Sequence, residues 1–128
     1  MKQLLLNIQP PAAPGFDNFI AGQNQEALSS LQAALSGQAP SPFVFLWGAE
    51  GSGKTHLLLA AQAMGAHIAD DVHTLDEESQ IILFDTFNHI KAEGGVLVTA
   101  GNHAPTQMGL RDDLATRLAW GLVYQLQP

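Results

Sequence analysis

A glycine-rich loop at positions 48–55, with the sequence G-A-E-G-S-G-K-T, constrains this chain more than any other feature. It follows an apolar run at 43–47 and precedes a second apolar run at 57–61, which is the order strand, loop, helix. Glycines let the backbone wrap around a phosphate with its N–H groups pointing inward, and the N-terminus of the next helix favours anionic oxygens. The pattern therefore predicts a nucleotide-binding phosphate loop. The simpler alternative is a glycine-rich turn that binds no ligand.

The individual positions of this loop carry distinct expected roles. Lys54 is expected to reach the β- and γ-phosphates, and the Thr55 hydroxyl is expected to hold Mg²⁺. ADP or ATP together with Mg²⁺ is the expected cofactor. The predicted nucleotide-contacting residues belong to the loop or to the first helical turn after it, and they are Gly48, Ala49, Glu50, Gly51, Ser52, Gly53, Lys54, Thr55 and His56.

Length and charge limit the classes of protein that remain. A chain of 128 residues is large enough for one domain with a real core, and it contains no cysteine. The net charge of −7, with only five basic residues, disfavours autonomous DNA binding and favours protein partners. The longest N-terminal apolar run, Leu4-Leu5-Leu6, is too short for a signal peptide or a membrane span. We therefore expect a cytoplasmic protein.

The spacing of apolar residues predicts helices that alternate with strands. The predicted helices span 25–35, 54–64, 76–92 and 111–119, and the predicted strands span 43–47, 66–72, 96–99 and 122–126. Asn24 is the expected N-cap of the first helix, and 74–77 matches a capping box before the third. The expected apolar stripe of the third helix is Ile82, Leu83, Phe84, Phe87 and Ile90. This alternation predicts an α/β fold with three layers, in which helices cover both faces of a parallel sheet of about four strands.

Two acids, Asp70 and Asp71, end the second predicted strand. In a phosphate-loop ATPase, the first such carboxylate orders Mg²⁺ and the next polarises the attacking water, so Asp70 is the candidate metal residue and Asp71 the candidate catalytic residue. The alternative is a solvated acidic turn before a helix. His67 and His73 lie close by in sequence, but neighbours on one strand point to opposite faces, which disfavours a transition-metal site.

Arg117 is the second candidate catalytic residue, because it lies late in the helix before the last predicted strand. It could act as an arginine finger that reaches the nucleotide of a neighbouring molecule and stabilises charge on its γ-phosphate. It could equally be a basic residue that the dipole at a helix C-terminus favours.

Four blocks of this sequence resemble the AAA+ domain of the DnaA replication-initiator family, and in particular its shorter regulatory branch of the Hda type. They occur in the order of the family and cover nearly the whole chain: F-D-N-F followed by G-Q-N at 16–24, L-W-G-A-E-G-S-G-K-T-H-L-L at 46–58, D-D-V at 70–72, and L-A-T-R-L-A-W-G at 114–121. The resemblance implies an AAA+ core at 16–128 behind a flexible tail at 1–15.

The tail contains a short apolar peptide, Q-L-L-L-N-I at 3–8, which is similar to the motif by which Hda-type proteins dock on the DNA polymerase sliding clamp. The implied clamp contacts are Gln3, Leu4, Leu6 and Ile8. Without the family domain behind it, the same peptide would be interpreted as a disordered tail.

The resemblance implies a regulatory function. A clamp-tethered, nucleotide-bound member of this branch promotes hydrolysis of ATP bound to DnaA and so represses re-initiation of replication, with Arg117 as the implied finger and weak or no turnover of its own. One alternative is an adaptor that links clamp and DnaA without a productive nucleotide site. Another is a stand-alone phosphate-loop NTPase related to helicase loaders.

Three departures from the family are visible. Relatives have a further strand and helix between the phosphate-loop helix and the acidic strand, whereas Met64-Gly65-Ala66 joins the two here. The helical lid that clamps adenine in relatives is expected to be absent. Asn102 is a candidate for the polar sensor that follows the third strand.

Overall fold

The computed structural model describes residues 13–128, so the predicted clamp-binding peptide at 3–8 lies outside the described residues. The helices are α1 (Gln25–Leu35), α2 (Lys54–Ala63), α3 (Glu77–Glu93) and α4 (Asp112–Leu118). The strands are β1 (Phe43–Trp47), β2 (His67–Ala69), β3 (Leu97–Gly101) and β4 (Leu122–Gln125). None of the helices in this described part is long and apolar enough to cross a membrane.

The four strands form one parallel sheet in the order β2-β3-β1-β4. In its centre β1 pairs with both β3 and β4, and Val44 lies opposite Val98 on one side and Leu122 on the other. The first four residues of β1 are buried, as a strand covered by helices on both faces requires. The predicted four-stranded parallel sheet is confirmed.

Two apolar cores fill the space on the two faces of this sheet. Helices α1 and α2 form one core, in which Leu31, Leu57 and Leu58 are fully buried. Helices α3 and α4 form the other, around Phe87 and Leu114. The predicted arrangement of three layers is therefore confirmed.

Asn24 occupies the N-cap position of α1, but the predicted capping hydrogen bond is not made. Its amide instead bonds the backbone of Gln127, with Nδ2 donating to the carbonyl at 2.9 Å and Oδ1 accepting from the N–H at 2.7 Å. The side chain thus joins α1 to the end of β4, a long-range contact that local sequence rules do not predict.

The acidic strand β2 is shorter than predicted, with three residues in place of seven. The reason is Asp71, whose φ of 49° is left-handed and ends the extended conformation. The chain then enters a short 3₁₀ turn, Val72–Thr74, which is closed by bonds from the N–H and hydroxyl of Thr74 to the Asp71 carbonyl.

The capping box predicted at 74–77 is also wrong, because Thr74 belongs to this turn and Asp76 is the N-cap of α3. The Asp76 carboxylate accepts a hydrogen bond from the Ser79 N–H at 2.8 Å. Hydrogen bonding from the Ser79 backbone, and then from its side chain, lowers the pKa of the Asp76 carboxyl.

Replacing Asp76 with alanine is expected to lower the melting temperature at neutral pH by a few degrees. Because the folded pKa lies below the unfolded one, the ionised cap stabilises the fold above the unfolded pKa of about 4, and that contribution is lost as pH falls through the folded value. Thermal unfolding between neutral and acidic pH measures this, with Asp85→Ala, an exposed acid in the middle of α3, as the control. A difference between wild type and Asp76→Ala that stays constant down to acidic pH would contradict the capping role.

The predicted apolar stripe of α3 is correct for Leu83, Phe87 and Ile90, which are buried. It is wrong for Ile82, which is 60% exposed. Phe84 is half-buried and stacks on the guanidinium of Arg117 instead of entering the core. The helix therefore presents a narrower buried face to the sheet than its composition indicates.

Candidate functional site

The glycine-rich loop joins the C-terminal end of β1 to the first residue of α2, at the edge of the sheet where the strands end. Gly53 has a φ of 99°, a left-handed conformation that non-glycine residues rarely adopt. A Cβ atom at this position would also lie 2.8 Å from Cε1 of Phe19. Glycine is therefore required here both by the backbone and by the neighbouring ring.

Lys54 is folded onto this loop. Its ammonium donates hydrogen bonds to the carbonyls of Gly48 at 2.6 Å and Ala49 at 2.9 Å, and the side chain is buried. Ser52, also buried, has its hydroxyl 3.5 Å from the same ammonium. A phosphate that binds Lys54 must therefore compete with two carbonyl oxygens of the loop itself.

The loop and the acidic strand meet through one short hydrogen bond. The Thr55 hydroxyl donates to Oδ2 of Asp70 at 2.6 Å, and the other oxygen of Asp70 accepts from the Asp71 N–H at 2.8 Å. Two candidate metal residues are thus adjacent although they lie on different elements. A hydroxyl beside a carboxylate fits Mg²⁺, which takes oxygen ligands, keeps several waters and uses few protein groups.

A cavity of about 630 Å³ opens beside this junction. Most of its lining comes from the predicted site, namely Glu50, Gly51, Gly53, Lys54, Thr55, His56 and Asp71, and two further residues, His73 and Asn102, complete it. Gly48, Ala49, Ser52 and Asp70 are not part of the lining. The first three surround the Lys54 ammonium, and Asp70 is bonded to the Thr55 hydroxyl. Within residues 13–128, no group of three or more His, Asp or Glu side chains is arranged to hold a metal ion.

The segment before α1 packs against the loop, which the sequence analysis did not predict. The Phe19 ring lies 5.4 Å from the His56 ring, measured between centroids. Nε2 of His56 lies 2.8 Å from the carbonyl oxygen of Gly15, and the Gly15 N–H donates to Asn18. The F-D-N-F block indicates that two aromatic side chains need a surface to cover, but it does not identify His56 or the loop as that surface.

Arg117 is absent from the cavity lining and lies in an aromatic stack between α3 and α4. The centre of its guanidinium is 4.7 Å from the Phe84 ring and 3.9 Å from the Trp120 ring. Nη2 donates to Asn88 at 3.4 Å, and the buried Nε has no hydrogen-bond partner among the described residues. Lys91 approaches the same Trp120 ring at 4.5 Å, so two cations flank one indole.

The other arginine of the described region, Arg111, is ion-paired with two carboxylates. It forms ion pairs with Glu77 at 3.1 Å and Asp113 at 3.3 Å. Hydrogen bonding to Asp113 raises the pKa of Arg111 and lowers that of Asp113. Arg117 has no such ion pair within residues 13–128, although its charge also helps to lower the pKa of Asp113.

Comparison with known proteins identifies the type of domain. A family model described as the bacterial DnaA ATPase domain matches residues 61–125, a little over half of the chain. The match begins after the phosphate loop, so it is independent of the glycine-rich motif at 48–55.

Solved structures extend the similarity over the loop as well. Replication initiator DnaA bound to AMPPCP and single-stranded DNA has a TM-score of 0.78 at 23% identity, over 90% of this chain and 50% of that one. AMPPCP-bound DnaA from Aquifex aeolicus has a TM-score of 0.77 at 25% identity, over 88% of this chain and 50% of that one. This chain thus spans about half the length of these DnaA structures.

A third structure has nearly the same length as this chain. It is a Neisseria meningitidis protein solved in solution, 31% identical, with a TM-score of 0.54 and coverage of 94% of this chain and 93% of that one.

Proposed function

The chain belongs to the family of bacterial DnaA ATPase domains, and from this membership we propose that it is a nucleotide-binding regulator of DnaA, of the Hda type. In this proposal residues 1–15 form a tail that tethers the protein to the sliding clamp, and 16–128 form the AAA+ core. The core binds ADP or ATP with Mg²⁺ and promotes hydrolysis of ATP on a DnaA partner, which represses re-initiation.

The observation that carries the nucleotide site of this proposal is the hydrogen bond between Thr55 and Asp70. This bond joins the phosphate loop to the end of the acidic strand. Thr55 also lines a cavity large enough for a nucleotide, and Lys54 lines the same cavity. A glycine-rich turn that binds no ligand would not require the Thr55 hydroxyl, the Asp70 carboxylate and the Lys54 ammonium to lie close together. Mg²⁺ held by Thr55 and Asp70 would shield the phosphate charge.

The residues of the core then divide between two tasks. Lys54 binds phosphate oxygens after leaving the carbonyls of Gly48 and Ala49, and Asp71 lines the cavity where it can orient a water molecule. Arg117 lies outside the cavity and serves a neighbouring molecule. We therefore propose weak or no turnover by the chain itself, because no arginine among residues 13–128 lines the cavity.

The direct test is single-turnover hydrolysis of ATP already bound to DnaA, in the presence of sliding clamp and DNA, with and without this protein. Acceleration by this protein is the expected result. Failure to accelerate hydrolysis, combined with retained clamp binding, would favour the adaptor.

Replacing Gln3, Leu4 and Leu6 together with alanine is expected to abolish binding to the sliding clamp. The proposal assigns the clamp contact to this short apolar peptide, which a proline-containing linker separates from the core. Clamp binding by surface plasmon resonance, with thermal unfolding as the control for the fold, measures the effect. If the triple variant still binds the clamp with wild-type affinity, the docking site lies elsewhere.

The adaptor remains the second candidate, and the position of Lys54 favours it. Two of the three N–H donors of the ammonium are taken by carbonyls of the loop, so a phosphate gains Lys54 only by displacing them. Titration with ADP and with ATP, each with Mg²⁺, separates the two candidates, because only the nucleotide-binding regulator gives a measurable affinity.

A further inference from the structure

His73 is a cavity residue to which neither the motif nor the family match assigns a role. It lies in the middle of the short turn after Asp71, and its imidazole lines the same cavity as Lys54 and Thr55. Its Nδ1 atom is buried and has no hydrogen-bond partner among the described residues. A buried polar atom without a partner is uncommon and calls for an explanation. Because Nδ1 is shielded from solvent, a ligand in the open cavity would be met by the other ring nitrogen, Nε2.

The turn holds this imidazole in a defined place. Asp71 adopts a left-handed backbone conformation, and its carbonyl accepts bonds from the N–H of Thr74 at 2.9 Å and from the Thr74 hydroxyl at 2.7 Å. Strained backbone that is fixed in this way is found preferentially at functional sites. The position of His73 is therefore built into the turn and does not depend on a flexible loop.

The strand order places His73 on the side of the cavity opposite the phosphate loop. The loop follows β1, Asn102 follows the adjacent strand β3, and His73 follows the turn after β2, the strand beyond it. A nucleotide whose inner phosphates lie in the loop would extend its terminal phosphate along this row of strand ends. The residues that follow these two strands and line the cavity are Asn102, Asp71 and His73.

The chemistry of these groups distinguishes His73 from its neighbours. An ionised carboxylate at Asp71 can only accept hydrogen bonds and repels a phosphate, whereas an imidazole can donate an N–H to a phosphate oxygen. We propose that His73 binds the terminal phosphate of a nucleoside triphosphate and so lets the site distinguish the triphosphate from the diphosphate. This inference rests on the proposed nucleotide site and adds to it a specificity-determining residue.

The test is isothermal titration with AMPPCP and with ADP, each with Mg²⁺, on the wild type, His73→Ala and His73→Gln. His73→Ala is expected to weaken AMPPCP binding about tenfold or more, as loss of a hydrogen bond to a charged group does, and to leave ADP binding within about twofold. Glutamine retains an N–H donor, so His73→Gln should recover part of the AMPPCP affinity. His89→Ala, on the exposed face of α3, is the matched control and should change neither affinity.

The possible outcomes separate this inference from the proposed function. If the wild type binds both nucleotides and the ratio of their affinities is the same in His73→Ala, His73 does not bind the terminal phosphate and the nucleotide site stands. If His73→Ala weakens the binding of AMPPCP and of ADP equally, His73 only shapes the cavity, and this result would also overturn the inference. If the wild type binds neither nucleotide, both the site and the inference fail. Should His73→Ala not fold, the ratio measured for His73→Gln decides.

Discussion

Arg117→Ala is expected to remove the ability of this protein to accelerate hydrolysis of DnaA-bound ATP, with a loss of roughly 10³–10⁵ in the stimulated rate, the contribution typical of arginine fingers. The structure is compatible with action on a partner, because Arg117 lies outside the cavity and has no ion pair within residues 13–128. Its planar cation, stacked between Phe84 and Trp120, is available to compensate charge that develops on a phosphate of a docked molecule.

Single-turnover hydrolysis with clamp and DNA measures this effect. Two further variants test whether the effect belongs to Arg117 and whether it requires the guanidinium group. Lys91→Ala removes the other cation over Trp120 and should stimulate normally, because the role is assigned to Arg117 alone. Arg117→Lys keeps the charge but loses the planar fork, so it should recover little of the rate. ADP affinity should be unchanged in Arg117→Ala. Stimulation equal to wild type would show that Arg117 only stabilises the end of α4 through its stack.

Lys54→Ala should weaken nucleotide binding by about 2–5 kcal/mol, which corresponds to at least roughly thirtyfold in Kd. Among the described residues, Lys54 is the only lysine or arginine that lines the cavity, so no other permanently charged cation there replaces it against a phosphate. The substitution also leaves the carbonyls of Gly48 and Ala49 without their donor, which should make the empty loop less ordered.

Titration with ADP and Mg²⁺ measures the Lys54 effect, and Lys91→Ala controls for the loss of one positive charge from an acidic protein. Thermal unfolding separates a loss of binding from a loss of the fold. Equal ADP affinity in wild type and Lys54→Ala would mean that the loop is not a working phosphate site, and the adaptor function would then be the better explanation.

The central elements of the fold were predictable because their signals are local and strong. The bounds of α1 and β1 agree with the predicted 25–35 and 43–47, since a regular apolar spacing is followed by Gly37 and Pro40 and then by a continuous apolar strand. The errors lie at β2 and at the start of α3. There the left-handed conformation of Asp71 and a cap made by Asp76 in place of Thr74 depend on contacts within a turn, and propensity does not determine these.

In the candidate site, too, the features with a local sequence signal were predictable and those that depend on long-range contacts were not. The motif predicted the convergence of Thr55 and Asp70, because consecutive parallel strands end at one edge of the sheet. The packing of Phe19 on His56 and the aromatic stack around Arg117 were not predictable, because each joins side chains that are distant in sequence. The roles of Asp71 and Arg117 in catalysis stay predictions, and so does the clamp contact of the tail.

During synthesis, β1 leaves the ribosome long before either of the strands with which it pairs. Its neighbours β3 and β4 are made later, and β4 lies almost at the end of the described chain. Until they emerge, five apolar residues at 43–47 have unpaired backbone groups and no cover from the second helical layer. The central position of β1 therefore ties formation of the sheet to synthesis of β3 and β4, and a product truncated before β4 would expose an unpaired apolar strand that chaperones and proteases recognise.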